Sequence, residues 1–81
     1  MSKYEVLSNI QSHYEELLLN HSLYFVRYFF DSEKIHYGEY TCYEIDTNYP
    51  LNAVYIDTCF SDVKCTFFFD RDNICVSVSC Y

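Results

Sequence analysis

Along the first twenty residues, apolar side chains recur with the period of an α-helix. Successive apolar positions lie three or four residues apart and form one stripe: Leu7, Ile10, Tyr14, Leu17 and Leu18. Ser2, followed three positions later by Glu5, matches a capping box, in which the two side chains satisfy free N–H groups at the start of a helix. Asn20 is a suitable end because asparagine tolerates the left-handed conformation that often terminates helices. We therefore predict one amphipathic helix over residues 2–20.

From residue 22 onward the apolar period changes to two, and residues with a high β-propensity dominate. The strands that this pattern predicts cover residues 22–30, 35–46, 52–60, 63–70 and 74–81. Pro50 separates the second strand from the third because proline lacks a donor for the sheet. Since the connections are short, an antiparallel meander is favoured. We predict a single α+β domain over residues 1–81, in which one N-terminal helix packs on one face of a four- to five-stranded antiparallel sheet.

Alternation within the later strands predicts which side chains face the helix. In the last strand these are Ile74, Val76, Val78 and Cys80. The same alternation turns inward seven side chains of the two preceding strands: Val54, Ile56, Phe60, Val63, Cys65, Phe67 and Phe69. The uncovered face then carries Tyr55, Asp57, Lys64, Thr66 and Phe68. The strands over 22–30 and 35–46 are not assigned, because aromatic residues occupy both of their sides.

The number of aromatic residues exceeds what the predicted core can cover. Ten tyrosines and seven phenylalanines are more than one short helix can cover. A partner or a second copy of the chain is therefore expected over some of them. The alternative is that tyrosine, which is amphipathic, simply tolerates half-exposure on a sheet.

The formal net charge of −7 excludes two classes of partner. Five basic residues scattered along the chain cannot displace counterions from a nucleic acid or dock on an anionic membrane. The same field steers the chain toward basic protein surfaces, including grooves that normally hold nucleic acid. The alternative is that the charge only keeps an aromatic-rich protein in solution.

The turns of a meander alternate between the two ends of the sheet and gather acidic residues at each. We expect Asp31, Glu33 and Asp62 at one end, and Asp46, Asp70 and Asp72 at the other. Carboxylates along a rim can imitate phosphates and compete for arginine and lysine side chains. The alternative is that turn aspartates only satisfy local backbone groups.

The five cysteines do not have the spacing of a zinc site. Because no secretory signal opens the chain, we predict free, mostly buried thiols and a cytoplasmic protein without a membrane span. Gly38 is the sole glycine, so a glycine-rich phosphate loop is excluded. No catalytic constellation is evident, and we predict a protein that is not an enzyme and has no cofactor.

In general character the whole chain, from SKYE at 2–5 to FFFDRDN at 67–73, resembles the small acidic proteins that phages and mobile elements make against host defence, anti-CRISPR proteins above all. The resemblance implies a cytoplasmic inhibitor that occludes a nucleic-acid channel or a subunit interface of a CRISPR effector. We expect it to bind a basic protein surface through Tyr55, Asp57 and Phe68 on the open face, and Asp70 and Asp72 at one rim. The alternatives are a homodimeric structural module and a cysteine-based metal or redox module.

Overall fold

The structure, a computed structural model, describes residues 2–58 and 62–81 and contains two helices followed by one sheet. The elements are α1 (Lys3–Leu18), α2 (Leu23–Ser32), β1 (Tyr37–Tyr43), β2 (Pro50–Asp57), β3 (Lys64–Phe69) and β4 (Cys75–Cys80). All neighbouring strands are antiparallel, and their order in space is β1-β2-β3-β4. The α+β class and the antiparallel meander are therefore confirmed. Among the described residues, neither helix is long and apolar enough to cross a membrane.

The predicted strand over residues 22–30 is wrong, because this segment forms α2. Ser22 caps the helix by accepting a hydrogen bond from the N–H of Phe25 at 3.1 Å. The buried side chains of the segment lie at helical spacing: Leu23, Val26 and Phe30. A run this rich in apolar residues satisfies both a two-residue and a helical period. The cap and the burial of these three side chains decide for the helix.

Most of the other predicted elements are present with shorter bounds. Ser2 accepts from the N–H of Glu5 at 3.2 Å and caps α1, and Asn20 has a positive φ of 68° just after the helix. Pro50 begins β2 rather than preceding it. Part of the predicted third strand and of the turn after it, residues 59–61, lies outside the described residues.

The core lies between the two helices and one face of the sheet. Three rings from three elements meet there: Tyr14 of α1, Phe30 of α2 and Phe67 of β3. Phe67 is 5.5 Å from Tyr14 and 5.3 Å from Phe30, measured between ring centroids. The predicted inward side chains of β2, of β3 and of the residue before β3 are buried: Val54, Ile56, Val63, Cys65, Phe67 and Phe69. Phe60, also predicted inward, lies outside the described residues.

A β-bulge overturns part of the assignment for the last strand. Phe68 pairs with Ser77, whereas Phe69 pairs with Cys75, so that Val76 has no partner in the ladder. Val76 was predicted to face the core and is exposed instead, while Cys75 is buried. The extra residue of the bulge shifts the alternation by one position, and period-two counting does not detect it.

A disulfide joins Cys65 of β3 to Cys80 of β4. These two residues are directly opposite in the sheet register, with a Cα–Cα distance of 4.1 Å. The prediction that all cysteines are free thiols is therefore wrong for this pair, while Cys42 and Cys75 are free. Cys59 lies outside the described residues. A separation of fifteen residues carries no pairing signal in the sequence; only the register of β3 and β4 brings these sulfurs together.

The two edges of the sheet differ. At the β4 edge, Lys64 and Tyr81 exchange both backbone hydrogen bonds at 2.8 Å, which turns the N–H of neighbouring Cys80 away from β3. This N–H donates to Oε1 of Gln11 on α1 at 3.2 Å. Helix α1 therefore lies against the β4 edge, whereas β1 at the opposite edge pairs, among residues 2–58 and 62–81, with β2 alone.

Candidate protein-binding face

The sheet face turned away from the core is the candidate site. We define this open face by the residues that alternate with the buried ones: Gly38, Tyr40, Cys42, Leu51, Ala53, Tyr55, Asp57, Lys64, Thr66, Phe68, Ser77 and Ser79. Tyr55 is opposite Thr66, and Asp57 is opposite Lys64. All five side chains predicted for the uncovered face therefore lie on it.

Two half-exposed tyrosines, Tyr40 and Tyr55, form an aromatic layer on the open face. The rings of Tyr40 and Tyr55 are 6.0 Å apart, and the side chains are 43% and 46% exposed. A Cβ on Gly38 would overlap the outer part of the Tyr55 ring, so any other residue there would force the ring to move. Ala53 and Thr66 are buried although they belong to the open face. The layer is therefore tightly packed against the sheet and half-exposed on its outer side.

The Tyr40 hydroxyl remains protonated at neutral pH. Burial raises the pKa of Tyr40 above its ordinary value of 10.0, and the neighbouring Cys42 raises it further. A protonated hydroxyl both donates and accepts hydrogen bonds. The open face thus offers a neutral polar group within an aromatic surface.

Charged side chains are sparse on the open face and concentrated at the ends of the sheet. Asp57 and Lys64 are the charged residues among those that define the face. At one end, Arg71 joins the β3–β4 turn to the β1–β2 turn through two bonds to Glu44, at 2.6 and 3.2 Å. The Arg71 guanidinium also lies 4.2 Å from the ring centre of Tyr49. This connection brings Asp46, Asp70 and Asp72 to one end of the sheet, as the alternating turns predict.

The two rim aspartates of the predicted site have different surroundings. Oδ1 of Asp70 accepts hydrogen bonds from the N–H of Asp72 at 2.9 Å and from the N–H of Ile74 at 3.0 Å. Asp70 therefore satisfies backbone groups of its own turn, as the alternative reading of these aspartates expected. Asp72 is exposed at the same rim. The structure does not bring either aspartate onto the aromatic layer.

The Glu44–Arg71 pair gives a prediction for an acid titration. Hydrogen bonds from Arg71 and Thr47 lower the pKa of Glu44 from 4.5 to about 2. Because the folded-state pKa is depressed, the contribution of this pair to stability is present above about pH 4.5 and is lost as the pH falls toward 2. We expect a side-chain carboxyl NMR titration of Glu44 with a midpoint near 2, and an Arg71→Gln variant whose midpoint moves up toward 4.5 but stays below it, because Thr47 still donates to the carboxylate. An unchanged midpoint in the variant would show that Arg71 does not hold this carboxylate.

Sequence analysis did not identify Gly38, Tyr40 and Cys42 as part of the site. Tyrosines occupy both faces of β1, at 37 and 43 as well as at 40, so the alternation gave no preferred side. Tyr40 is opposite Ala53, a buried small residue of β2, and this pairing places Tyr40 on the open face. The sole glycine in a tyrosine-rich strand was the available signal, because a glycine within a strand often marks a close approach by another group.

Comparison with family models, with curated proteins and with solved structures finds no match to this chain. Among residues 2–58 and 62–81, no three His, Cys, Asp or Glu side chains converge in a way that could hold a metal ion.

Proposed function

We propose that this protein binds another protein through its open face. The observation that carries the proposal is the half-exposed layer of Tyr40 and Tyr55 beside Phe68, over which the described part of the chain places no further element. The partner surface has an apolar centre that covers the rings and lysine or arginine side chains around it. This arrangement matches protein interfaces in general, which have an aromatic-rich core and a polar rim.

Tyrosine is well suited to such a contact. Its ring is large and rigid, so that burial against a partner costs little conformational entropy, and its hydroxyl finds hydrogen bonds at the edge of the interface. The Tyr55 ring packs directly against Gly38, and Tyr40 lies opposite the buried Ala53 and beside the Tyr55 ring. The layer is therefore ordered before a partner arrives, which lowers the entropic cost of binding.

The charge distribution favours a basic partner. Two of the five basic residues are already engaged: Arg27 binds Glu39 at 2.7 Å, and Arg71 binds Glu44. The remaining acidic excess attracts a basic surface over distances of several ångströms and raises the association rate. Asp57 on the open face and Asp72 at its rim are the exposed carboxylates that we assign to contacts with lysine or arginine.

A finer proposal follows from the resemblance to inhibitors of host defence. The basic partner is then a nucleic-acid-binding or subunit interface, such as that of a CRISPR effector, and the chain acts by occluding it. Acidic rims and exposed tyrosines support this proposal, because the first can imitate phosphates and the second can anchor the contact. If it holds, the partner binds this protein or its nucleic acid but not both at once.

Capture from the lysate of the native host, followed by affinity measurement, tests the proposal. We expect Tyr55→Ala to weaken binding of the captured partner at least tenfold, since aromatic anchors in interface centres contribute about 2 kcal/mol or more. Tyr4→Ala is the matched control, because Tyr4 is a highly exposed tyrosine of α1, away from the open face. Equal affinity of both variants would contradict the assignment of the open face.

Two further arms of this experiment separate the charge and occlusion arguments. Asp72→Lys should lower the affinity and flatten its dependence on salt, and an unchanged salt dependence would remove the rim from the interface. Adding the partner's nucleic acid should displace this protein if the partner is occluded. Simultaneous binding of both would contradict the occlusion proposal while leaving protein binding intact.

A further inference from the structure

At the β1 edge of the sheet, the register defines which backbone groups point away from β2. The N–H of Glu44 donates to the carbonyl of Tyr49 at 3.0 Å, so that these two residues form a hydrogen-bonded pair. In an antiparallel ladder every second residue belongs to such a pair, and this bond therefore determines which residues of β1 have their backbone groups turned toward β2. The bond from Thr58 N–H to the Val63 carbonyl, on the other side of β2, gives the same alternation. The backbone groups of four β1 residues therefore point away from the sheet: Tyr37, Glu39, Thr41 and Tyr43.

In the described part of the chain, this edge has few of the features that usually prevent strands from associating. Exposed edges are commonly protected by proline, by charged side chains, by a bulge or by a covering helix. β1 is seven residues long and regular, and its one charged side chain, Glu39, is neutralised by two bonds from Arg27 at 2.7 and 2.9 Å. The β4 edge, in contrast, has α1 against it. β1 is therefore an edge strand that is available to pair with a further strand.

The sequence of β1 is complementary to itself. Tyr37, Tyr40 and Tyr43 are spaced symmetrically about Tyr40. If two copies of β1 run antiparallel with Tyr40 at the two-fold axis, Tyr37 lies opposite Tyr43 of the other copy, and Glu39 lies opposite Thr41. In this register all four outward-pointing residues form hydrogen-bonded pairs, and no two glutamates face each other. Aromatic pairs across strands are stabilising, whereas opposed like charges are not.

We propose that a second copy of this chain pairs with β1 in this register and forms a continuous eight-stranded sheet. The neighbouring surface of α2 supports a second copy as the occupant. Tyr24 and Tyr28 are 74% and 71% exposed, and Arg27, which lies between them in the sequence, reaches β1 through Glu39. A two-fold axis perpendicular to the sheet places both α2 helices on the same side. These tyrosines then contact the helix of the other copy.

The proposal goes beyond binding by the open face and extends it. Pairing through β1 joins the two open faces side by side, with both Tyr40 rings near the middle of one surface. The interface uses the strand edge and α2, whereas the partner protein uses the open face. A monomer would therefore contradict this inference without touching the proposed function, and loss of partner binding in Tyr55→Ala would not affect the dimer.

Cross-linking tests the register. The two copies of residue 40 at the axis are directly opposite each other without backbone hydrogen bonds between them. Cys65 and Cys80, which form a disulfide across β3 and β4, are a pair of the same type. In a Cys42→Ala background, the Tyr40→Cys variant should form a covalent dimer when oxidised glutathione is added. The two introduced thiols are oxidised to a disulfide, and the glutathione is reduced. Thr41→Cys in the same background is the matched control, because residue 41 is opposite residue 39 and not opposite itself. Equal cross-linking at both positions would overturn the register.

Sedimentation of the otherwise unmodified chain tests the dimer itself. We expect a mass about twice 9.8 kDa for the natural sequence and a monomer for Thr41→Pro. The Thr41 N–H points outward, so proline removes a bond of the dimer and none of the monomer's sheet. Circular dichroism is the control that the Thr41→Pro variant is folded. A natural chain that remains monomeric at millimolar concentration overturns the proposal, and so does a dimer that survives Thr41→Pro. Protection of β1 amides only when a different protein is bound would assign the edge to that protein instead.

Discussion

Replacing Phe67 by alanine is expected to lower the free energy of unfolding by about 3–5 kcal/mol. The Phe67 side chain is fully buried, and its ring contacts Tyr14 of α1 and Phe30 of α2. Removing it leaves a cavity where both helices meet the sheet. Domains of this size are stable by about 5–15 kcal/mol, so this one change removes a large part of the total.

Chemical denaturation followed by circular dichroism measures this loss. Phe68→Ala is the matched control, because Phe68 is the adjacent residue on the same strand and lies on the open face, where it is partly exposed. We expect a distinctly smaller loss for Phe68→Ala. Phe67→Leu, which retains most of the volume, should cost less than about 1.5 kcal/mol and keeps the comparison measurable if the alanine variant does not fold. Equal losses at 67 and 68 would contradict the assignment of the two faces.

Breaking the Cys65–Cys80 disulfide is expected to lower the free energy of unfolding by about 3 kcal/mol. The bond closes a loop of fifteen residues, and a loop of this length restricts the unfolded chain by about that amount. It also holds β4, the last strand of the chain, against β3. In a chain of 81 residues, with a correspondingly small core, a covalent link of this kind makes a large contribution.

Denaturation with and without a reducing agent isolates the effect of the bond. The natural sequence should lose stability on reduction, whereas a Cys65→Ala/Cys80→Ala variant should respond to the reducing agent far less. The double variant controls for the reduction of any other disulfide. Comparing the natural sequence with and without the reducing agent avoids the cavity that alanine leaves at the buried Cys65. A natural chain with the same stability under both conditions would show that the link does not form in solution.

Several features of the fold followed from local patterns. Helix α1 was predictable from Ser2, Glu5 and the apolar stripe, because caps and helical spacing act over four residues. The faces of β2 and β3 were predictable because strongly apolar side chains alternate with more polar ones over part of each strand, as Lys64 and Thr66 alternating with Cys65 and Phe67 illustrate. The position of Asp46, Asp70 and Asp72 at one end of the sheet followed from the meander alone. Asp31 and Glu33, in contrast, were predicted for a turn at the other end and belong to the end of α2.

Other features depended on neighbours that local patterns do not reveal. The segment that became α2 is apolar at nearly every position, so its period was ambiguous. The bulge displaced Val76 from the core, and the register paired Cys65 with Cys80. The position of Tyr40 on the open face depended on Ala53 opposite it in the register and on Tyr55 beside it. Each of these outcomes required knowledge of a residue on another element.

The amino-acid sequence by itself determined the first helix, the strands of the meander, the inward and outward sides of β2 and β3, and the acidic excess. Those properties arise from spacing and charge within a few residues. Only the tertiary structure decided that residues 23–32 are helical, that two cysteines are bonded, that Tyr40 and Tyr55 lie together on the open face and that β1 is an edge strand of the described sheet. These properties arise from contacts between residues distant in the chain, where packing and strand register outweigh local preference.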